Sequence, residues 1–314
     1  MLPDPGVPVH ASRGVLVHGL VAALVLSAQA CGSGGASGDA PSPAPDTAAL
    51  VTSVTGLSGP EGVRYDPDQD VYFVSNFNGS PVGDANGFVS RVNAGDGRID
   101  SLRFMVGTAR APLHGPRGMF IVGDTLWVVD AVGVHGFLRR SGEQVAFVDL
   151  APLRPGFPND IAQGPDGALY VTDTDSSRVY RLSGGRAAVA GSGGAFGQPN
   201  GITWSAARQT FVLAPWGGER TFRYWTPGSP APQDSTVSAA GGNFDGVESV
   251  GTDLLVASQS DSSIRVLTDS VAAPMIRTAG RPADIGIDTR RQRVAIPFVS
   301  LNRVDIWTLP GSAR

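Results

Sequence analysis

The chain has 314 residues, 41% of them hydrophobic, with 42 glycines, 24 prolines, one cysteine and a formal net charge of −4. That length and apolar content suffice for a sizeable core. The scattered basic residues exclude a nucleic-acid surface, which needs clustered Lys and Arg, and the lone cysteine excludes an internal disulfide.

Residues 1–30 read as an export signal. Arg13 supplies a positive n-region, Val15 to Leu26 is an apolar stretch, and Ala28-Gln29-Ala30 is an A-x-A cleavage site. The apolar run is too short to span a bilayer. Cys31 then becomes the first mature residue, as in a bacterial lipoprotein, although that motif usually has Leu where Ala28 stands. Plain secretion is the other reading. The expected location is periplasmic, either free or held at a membrane only through a lipid on Cys31. Residues 31–47 contain Gly32-Ser33-Gly34-Gly35 and Pro41-Ser42-Pro43-Ala44-Pro45, a flexible tether followed by a stiffer one.

Residues 48–310 are repetitive. Gly59-Pro60-Glu61-Gly62, Gly115-Pro116-Arg117-Gly118, Phe157-Pro158-Asn159-Asp160, Gln198-Pro199-Asn200-Gly201, Asn243-Phe244-Asp245-Gly246 and Arg281-Pro282-Ala283-Asp284 resemble one another. Their third positions recur at intervals of 56, 42, 41, 45 and 38 residues. A strand-rich period of about 40 to 45 residues marks a β-propeller. The expected fold is therefore all-β, a six-bladed β-propeller with four-stranded blades.

In the third repeat, strands are predicted from Asn159, over Ala168 to Thr172, over Ser177 to Leu182 and over Arg186 to Ala190, divided by Pro165-Asp166-Gly167 and Gly184-Gly185 turns. The sixth repeat has only three strands, so Ala49 to Val54 is predicted to complete the last blade and close the ring. The long first interval places an insertion loop at Asn76 to Asn86. Residues 311–314 form a tail.

Each repeated position precedes the innermost strand of its blade, so the six converge at one mouth of the channel: Glu61, Arg117, Asn159, Asn200, Asp245 and Ala283. Four of them carry carboxylate or carboxamide oxygens, the ligand type of hard divalent cations such as Ca²⁺. Beyond the signal the only histidines are His114 and His135, so no His or Cys set competes for zinc. Asn-Gly and Asp-Gly are also turn-forming dipeptides, and that alternative covers Asn200 and Asp245. It does not cover Glu61 or Arg117. His114, Asn76, Asn78 and Asp284 have both mouth and loop readings. His135, Asp66 to Asp70 and Asp173-Thr174-Asp175 read as structural.

The chain resembles the senescence-marker-protein, gluconolactonase and luciferin-regenerating-enzyme family over roughly residues 48 to 310. The resemblance rests on Gly59-Pro60-Glu61-Gly62-Val63, Asn159-Asp160, Pro199-Asn200-Gly201-Ile202-Thr203-Trp204 and Phe244-Asp245-Gly246. It implies a Ca²⁺-type site of Glu61, Asn200 and Asp245, with Asn159 as direct or water-linked ligand; Zn²⁺, Mn²⁺ and Mg²⁺ are also compatible with such oxygens. It further implies hydrolysis of a small substrate such as a lactone or ester, with Asp245 as general base or nucleophile; the expected state is a monomer. The chain departs from the family where Pro60 precedes Glu61, and at Arg117. That guanidinium either binds a substrate carboxylate or oxyanion as part of the catalytic set, or pairs with Glu61 and replaces the cation. The second outcome gives a non-catalytic, NHL-like binding propeller.

Overall fold

The computed structural model describes residues 47–311; the signal-like segment, Cys31 and nearly all of the tether lie outside the described residues. β1 (Leu50–Thr55) precedes six repeats. Blade one is β2 (Pro60–Asp66), β3 (Val71–Asn76), β4 (Phe88–Asn93) and β5 (Ile99–Val106). Blade two is β6 (Met119–Val122), β7 (Thr125–Val129), β8 (Gly133–Leu138) and β9 (Gln144–Asp149). Blade three is β10 (Pro158–Gln163), β11 (Leu169–Asp173), β12 (Arg178–Ser183) and β13 (Arg186–Ser192). Blade four is β14 (Pro199–Ser205), β15 (Thr210–Pro215), β16 (Thr221–Trp225) and β17 (Gln233–Ser238). Blade five is β18 (Phe244–Val250), β19 (Asp253–Ser258), β20 (Ser263–Leu267) and β21 (Ala272–Arg277). The last blade is β22 (Gly286–Asp288), β23 (Arg293–Phe298) and β24 (Arg303–Thr308), completed by β1.

Every blade is a four-stranded antiparallel sheet. The ring closes as expected: β1 pairs with β24 from Leu50↔Trp307 to Thr55↔Arg303. Closure removes the long free edge that a chain of open sheets would expose. The first interval is long for two reasons. Residues 77–87 form the expected insertion between β3 and β4, and residues 107–118 form a second long connection between β5 and β6.

Strand composition follows depth. The second strands are apolar and buried on both faces, as in the Val71-Tyr72-Phe73-Val74 run of β3, because a neighbouring blade covers each face. Outer strands alternate, as in β9, where Gln144 to Asp149 are mostly half-buried or exposed and only Val148 is buried. Apolar clusters lie between adjacent blades. Val71, Phe73, Val89 and Met105 of blade one meet Leu113, Met119, Leu126, Val128 and Phe137 of blade two and the connection leading into it. Val63, Tyr72 and Val74 meet Ala295, Val304 and Ile306 across the closure. Fully burying one such side chain contributes about 1.5–3 kcal/mol.

The inner strands approach one another closely, and this decides the reading of the Asn-Gly and Asp-Gly pairs. Both glycines lie inside strands, Gly201 in β14 and Gly246 in β18. A Cβ on Gly246 would sit 2.5 Å from the amide nitrogen of Ile285, and one on Gly201 would collide with the carbonyl oxygen of Asp245. These glycines are required by inter-blade contact, not by turns. Turn propensity therefore does not account for Asn200 and Asp245.

Candidate active site at the channel mouth

In four blades the loop entering the inner strand is held by a residue at, or just past, the end of the second strand. Asn76 Oδ1 accepts from the Ser58 amide at 3.0 Å. Asp130 accepts from the amides of His114 and Gly115. Asp173 accepts from Gly156 and Phe157, and Ser258 Oγ from Gly242. Buried backbone donors need such partners. Neighbouring blades are then laced together: the Asp284 amide donates to Glu61 O at 2.8 Å, and the Gly118 amide to Asn159 O at 3.1 Å. The side chains at the mouth thus stand on a rigid frame.

Glu61, Asn159, Asn200, Asp245 and Ala283 line one cavity of about 310 Å³. All five are buried, and together they form its floor. Asp245 Oδ2 accepts from Gln259 Nε2 at 2.6 Å, and the Asn159 amide nitrogen donates to Thr174 Oγ1 at 3.1 Å. Glu61 Oε2, Asn200 Oδ1 and Asp245 Oδ1 are buried and have no donor. An unpartnered buried acceptor is costly, and three of them on one floor call for a positive or donating ligand. Oxygen-only donors, two of them carboxylates, fit a hard divalent cation. Among the described residues, no three His, Cys, Asp or Glu side chains are arranged to hold a metal ion by themselves. A cation here would rest on two carboxylates and two carboxamides.

The local electrostatics agree with that fit. Burial, reinforced by Asp245 and Asp160, pushes the Glu61 carboxyl well above its usual range, with Arg117 opposing. Burial pushes Asp245 up to about 7 against the Gln259 hydrogen bond, and burial does the same for Asp160. Asp284 is raised by burial and by the charges of Asp160 and Glu61, and its Oδ2 has no partner. Asp160 and Asp284 sit one residue beyond the ring, where blades one, two, four and five have glycine.

These shifts predict an unusual pH dependence. A carboxyl that holds its proton more tightly in the folded state favours folding at low pH, and that contribution fades as pH rises from about 4 through 7. Chelator-treated protein is therefore expected to melt at a higher temperature at pH 5 than at pH 8, with Ca²⁺ restoring stability at pH 8. Carboxyls shifted the other way, such as Asp70 at about 2, held down chiefly by its hydrogen bonds to Arg291, act only below this window. A melting curve that is flat or rises between pH 5 and 8 contradicts the assignment.

Arg117 does not line the cavity. It is fully buried, with Nη1 donating to Pro158 O at 3.0 Å and Nη2 to Pro81 O at 2.7 Å. Its guanidinium lies 3.9 Å from the Phe157 ring centroid and 5.8 Å from that of Phe77. No Arg117–Glu61 ion pair forms, so the guanidinium does not fill the cation's place. It clamps the insertion loop of blade one to blade three from behind the wall.

His114 Nδ1 accepts from the Ala85 amide, so this residue supports the same insertion loop. His135 lies on β8, fully buried, between Asp130 and Gln144. Asn76 is buried in strand β3, and Asn78 braces the loop by donating to Asn86 O. Asp66 ends β2, Asp70 closes the turn into β3, and they pair with Arg139 and Arg291.

Sequence reasoning missed the cavity wall: Phe77, Phe157, Thr174, Asp175, Trp216, Gln259 and Val299. Thr174 and Asp175, which read as part of a turn, face the cavity. The available signal was positional. Phe77, Thr174, Trp216, Gln259 and Val299 each follow directly on the second strand of their blade.

No protein-family model matches the chain, and no curated protein does. Solved structures share the fold. A gluconolactonase from Xanthomonas campestris is 19% identical with a TM-score of 0.64, over 85% of this chain and 97% of that one. Virginiamycin B lyase from Staphylococcus aureus is 15% identical with a TM-score of 0.59, over 83% and 99%. The PQQ-bound aldose sugar dehydrogenase from Streptomyces coelicolor is 16% identical with a TM-score of 0.58, over 84% and 99%. At these identities the likeness establishes the six-bladed fold, which a gluconolactonase, a lyase and a dehydrogenase all use.

Proposed function

We propose that this protein is an exported hydrolase of lactones or related esters that works with one divalent cation, most naturally Ca²⁺, held by Glu61, Asn159, Asn200 and Asp245. The observation that carries the reading is the trio of buried, donor-less oxygens on Glu61, Asn200 and Asp245 at the floor of a substrate-sized cavity. Export, a lipid on Cys31 and a monomeric state belong to the same proposal and rest on sequence.

When bound, the cation supplies Lewis acidity toward the substrate carbonyl. The chain's own residues do the rest. Asp245 is held at Oδ2 by Gln259, which aims its carboxylate into the cavity as the general base for the attacking water. A bound cation would lower the proton affinity that burial raises in Asp245, keeping it ionised as a base. The water oxygen joins the carbonyl carbon, the ring C–O bond breaks, and the proton passes to the departing oxygen. Asn200 and Asn159 orient the carbonyl without bringing charge, and the apolar wall keeps competing water out.

The test is cation content and binding, combined with turnover of a panel of sugar and acyl lactones before and after chelation. Bound cation with chelator-sensitive turnover is expected; a protein that neither binds a cation nor turns over any of the panel sinks the reading. The second reading is a non-catalytic binding propeller. It predicts a melting temperature indifferent to chelators.

A further inference from the structure

The cavity wall has a chemistry that the floor alone does not explain. Three half-buried aromatic rings, Phe77, Phe157 and Trp216, line it beside Asp175. With Glu61 and Asp245, three carboxylates face the cavity, and no Arg or His does. The chain contains no lysine at all, and Arg117 is sealed behind Phe157. Asp175 is exposed and makes no hydrogen bond or ion pair with the described residues. A divalent cation on the floor would answer Glu61 and Asp245, leaving Asp175 with only the charge of Arg117 from behind the wall. Asp175 follows β11 and Trp216 follows β15, so the two stand on adjacent blades, bound together by Thr174 Oγ1 donating to Pro199 O at 2.9 Å.

Carboxylates beside aromatic faces are the set that holds organic ammonium groups through charge and cation–π attraction. An anion lodged beside Asp175 would meet like charge there. We propose that the cavity selects substrates bearing an ammonium group on an aryl or alkyl arm, with the cationic arm lodged between Trp216 and Asp175 and the reacting carbonyl at the floor. The proposal rests on the hydrolase reading for the carbonyl but not for the ammonium subsite.

The test therefore uses binding rather than turnover. Calorimetry on Ca²⁺-saturated protein would compare benzyltrimethylammonium with its neutral carbon isostere, neopentylbenzene, and with the anion benzylsulfonate. The ammonium ion is expected to bind at least tenfold tighter than the isostere, and the sulfonate not detectably. Trp216→Leu is expected to weaken ammonium binding about tenfold, and Asp175→Asn about threefold. Asp175 is exposed and makes no hydrogen bond with the described residues, so its replacement is expected to leave folding intact. Asp245→Asn is expected to lose lactone turnover while still binding the ammonium ion, so failure of the hydrolase reading and failure of this one are separately visible. Sulfonate binding as tight as ammonium binding overturns the proposal. So does ammonium affinity unchanged in both Asp175→Asn and Trp216→Leu, or its abolition by saturating Ca²⁺, which would place the ammonium on the floor.

Discussion

Asp245→Ala is expected to reduce lactone turnover by at least a thousandfold and to weaken cation binding, with little loss of folding stability in the chelated protein. A positioned general base contributes about 10²–10⁴ in rate, and this side chain is also a proposed cation ligand, so two losses fall on one residue. Stability moves the other way from a typical buried deletion. Asp245 is surrounded by other buried carboxyls, its Oδ1 has no partner, and burial penalises its charged form. Removing it relieves like-charge strain that only a cation would otherwise relieve. Glu61→Gln separates the two roles. It keeps the shape and one oxygen but removes a charge, so cation affinity should fall while Asp245 remains as base, and excess cation should restore part of the turnover. Turnover unchanged in both variants would remove the floor from the chemistry. Turnover lost in Glu61→Gln at every cation concentration would instead make Glu61 a direct participant.

The fold was legible because the repeat writes itself six times at one register, so each weak segment strengthens the others. Glu61, Asn159, Asn200 and Asp245 were legible for the same reason: they occupy one aligned position, and the closed ring brings aligned positions together. Gly201 and Gly246 were not legible. In sequence they mimic turn dipeptides, and only the approach of the next inner strand shows why a side chain is forbidden there. The wall was hidden differently. Phe77, Thr174, Trp216, Gln259 and Val299 occupy one structural position 14 to 16 residues after the ring residue of the same blade. They share no chemistry, so no residue type repeats to mark them. Arg117 stood out as a misfit, but its partners are the backbone oxygens of Pro81 and Pro158, which carry no mark in sequence.

Those partners make Arg117 the position where the largest loss of stability is expected. Arg117→Met removes two hydrogen bonds from a fully buried cation, strands the carbonyls of Pro81 and Pro158, and takes away the charge that opposes the raised proton affinity of Glu61. Losing two buried hydrogen bonds made by a charged donor costs about 3–5 kcal/mol. For a domain of this size, that corresponds to a fall in melting temperature of about 6–20 °C. The insertion at residues 77–87, which Arg117 ties to blade three, is expected to become sensitive to proteolysis. Arg117→Lys keeps the charge, but its single ammonium lacks the planar fork that reaches both carbonyls while stacking on Phe157, so it should recover only part of the loss. A guanidinium that instead bound substrate would show the opposite pattern, with melting unchanged in both variants and a raised KM confined to anionic substrates. Melting temperature and KM together therefore separate a clamp behind the wall from a group that touches substrate.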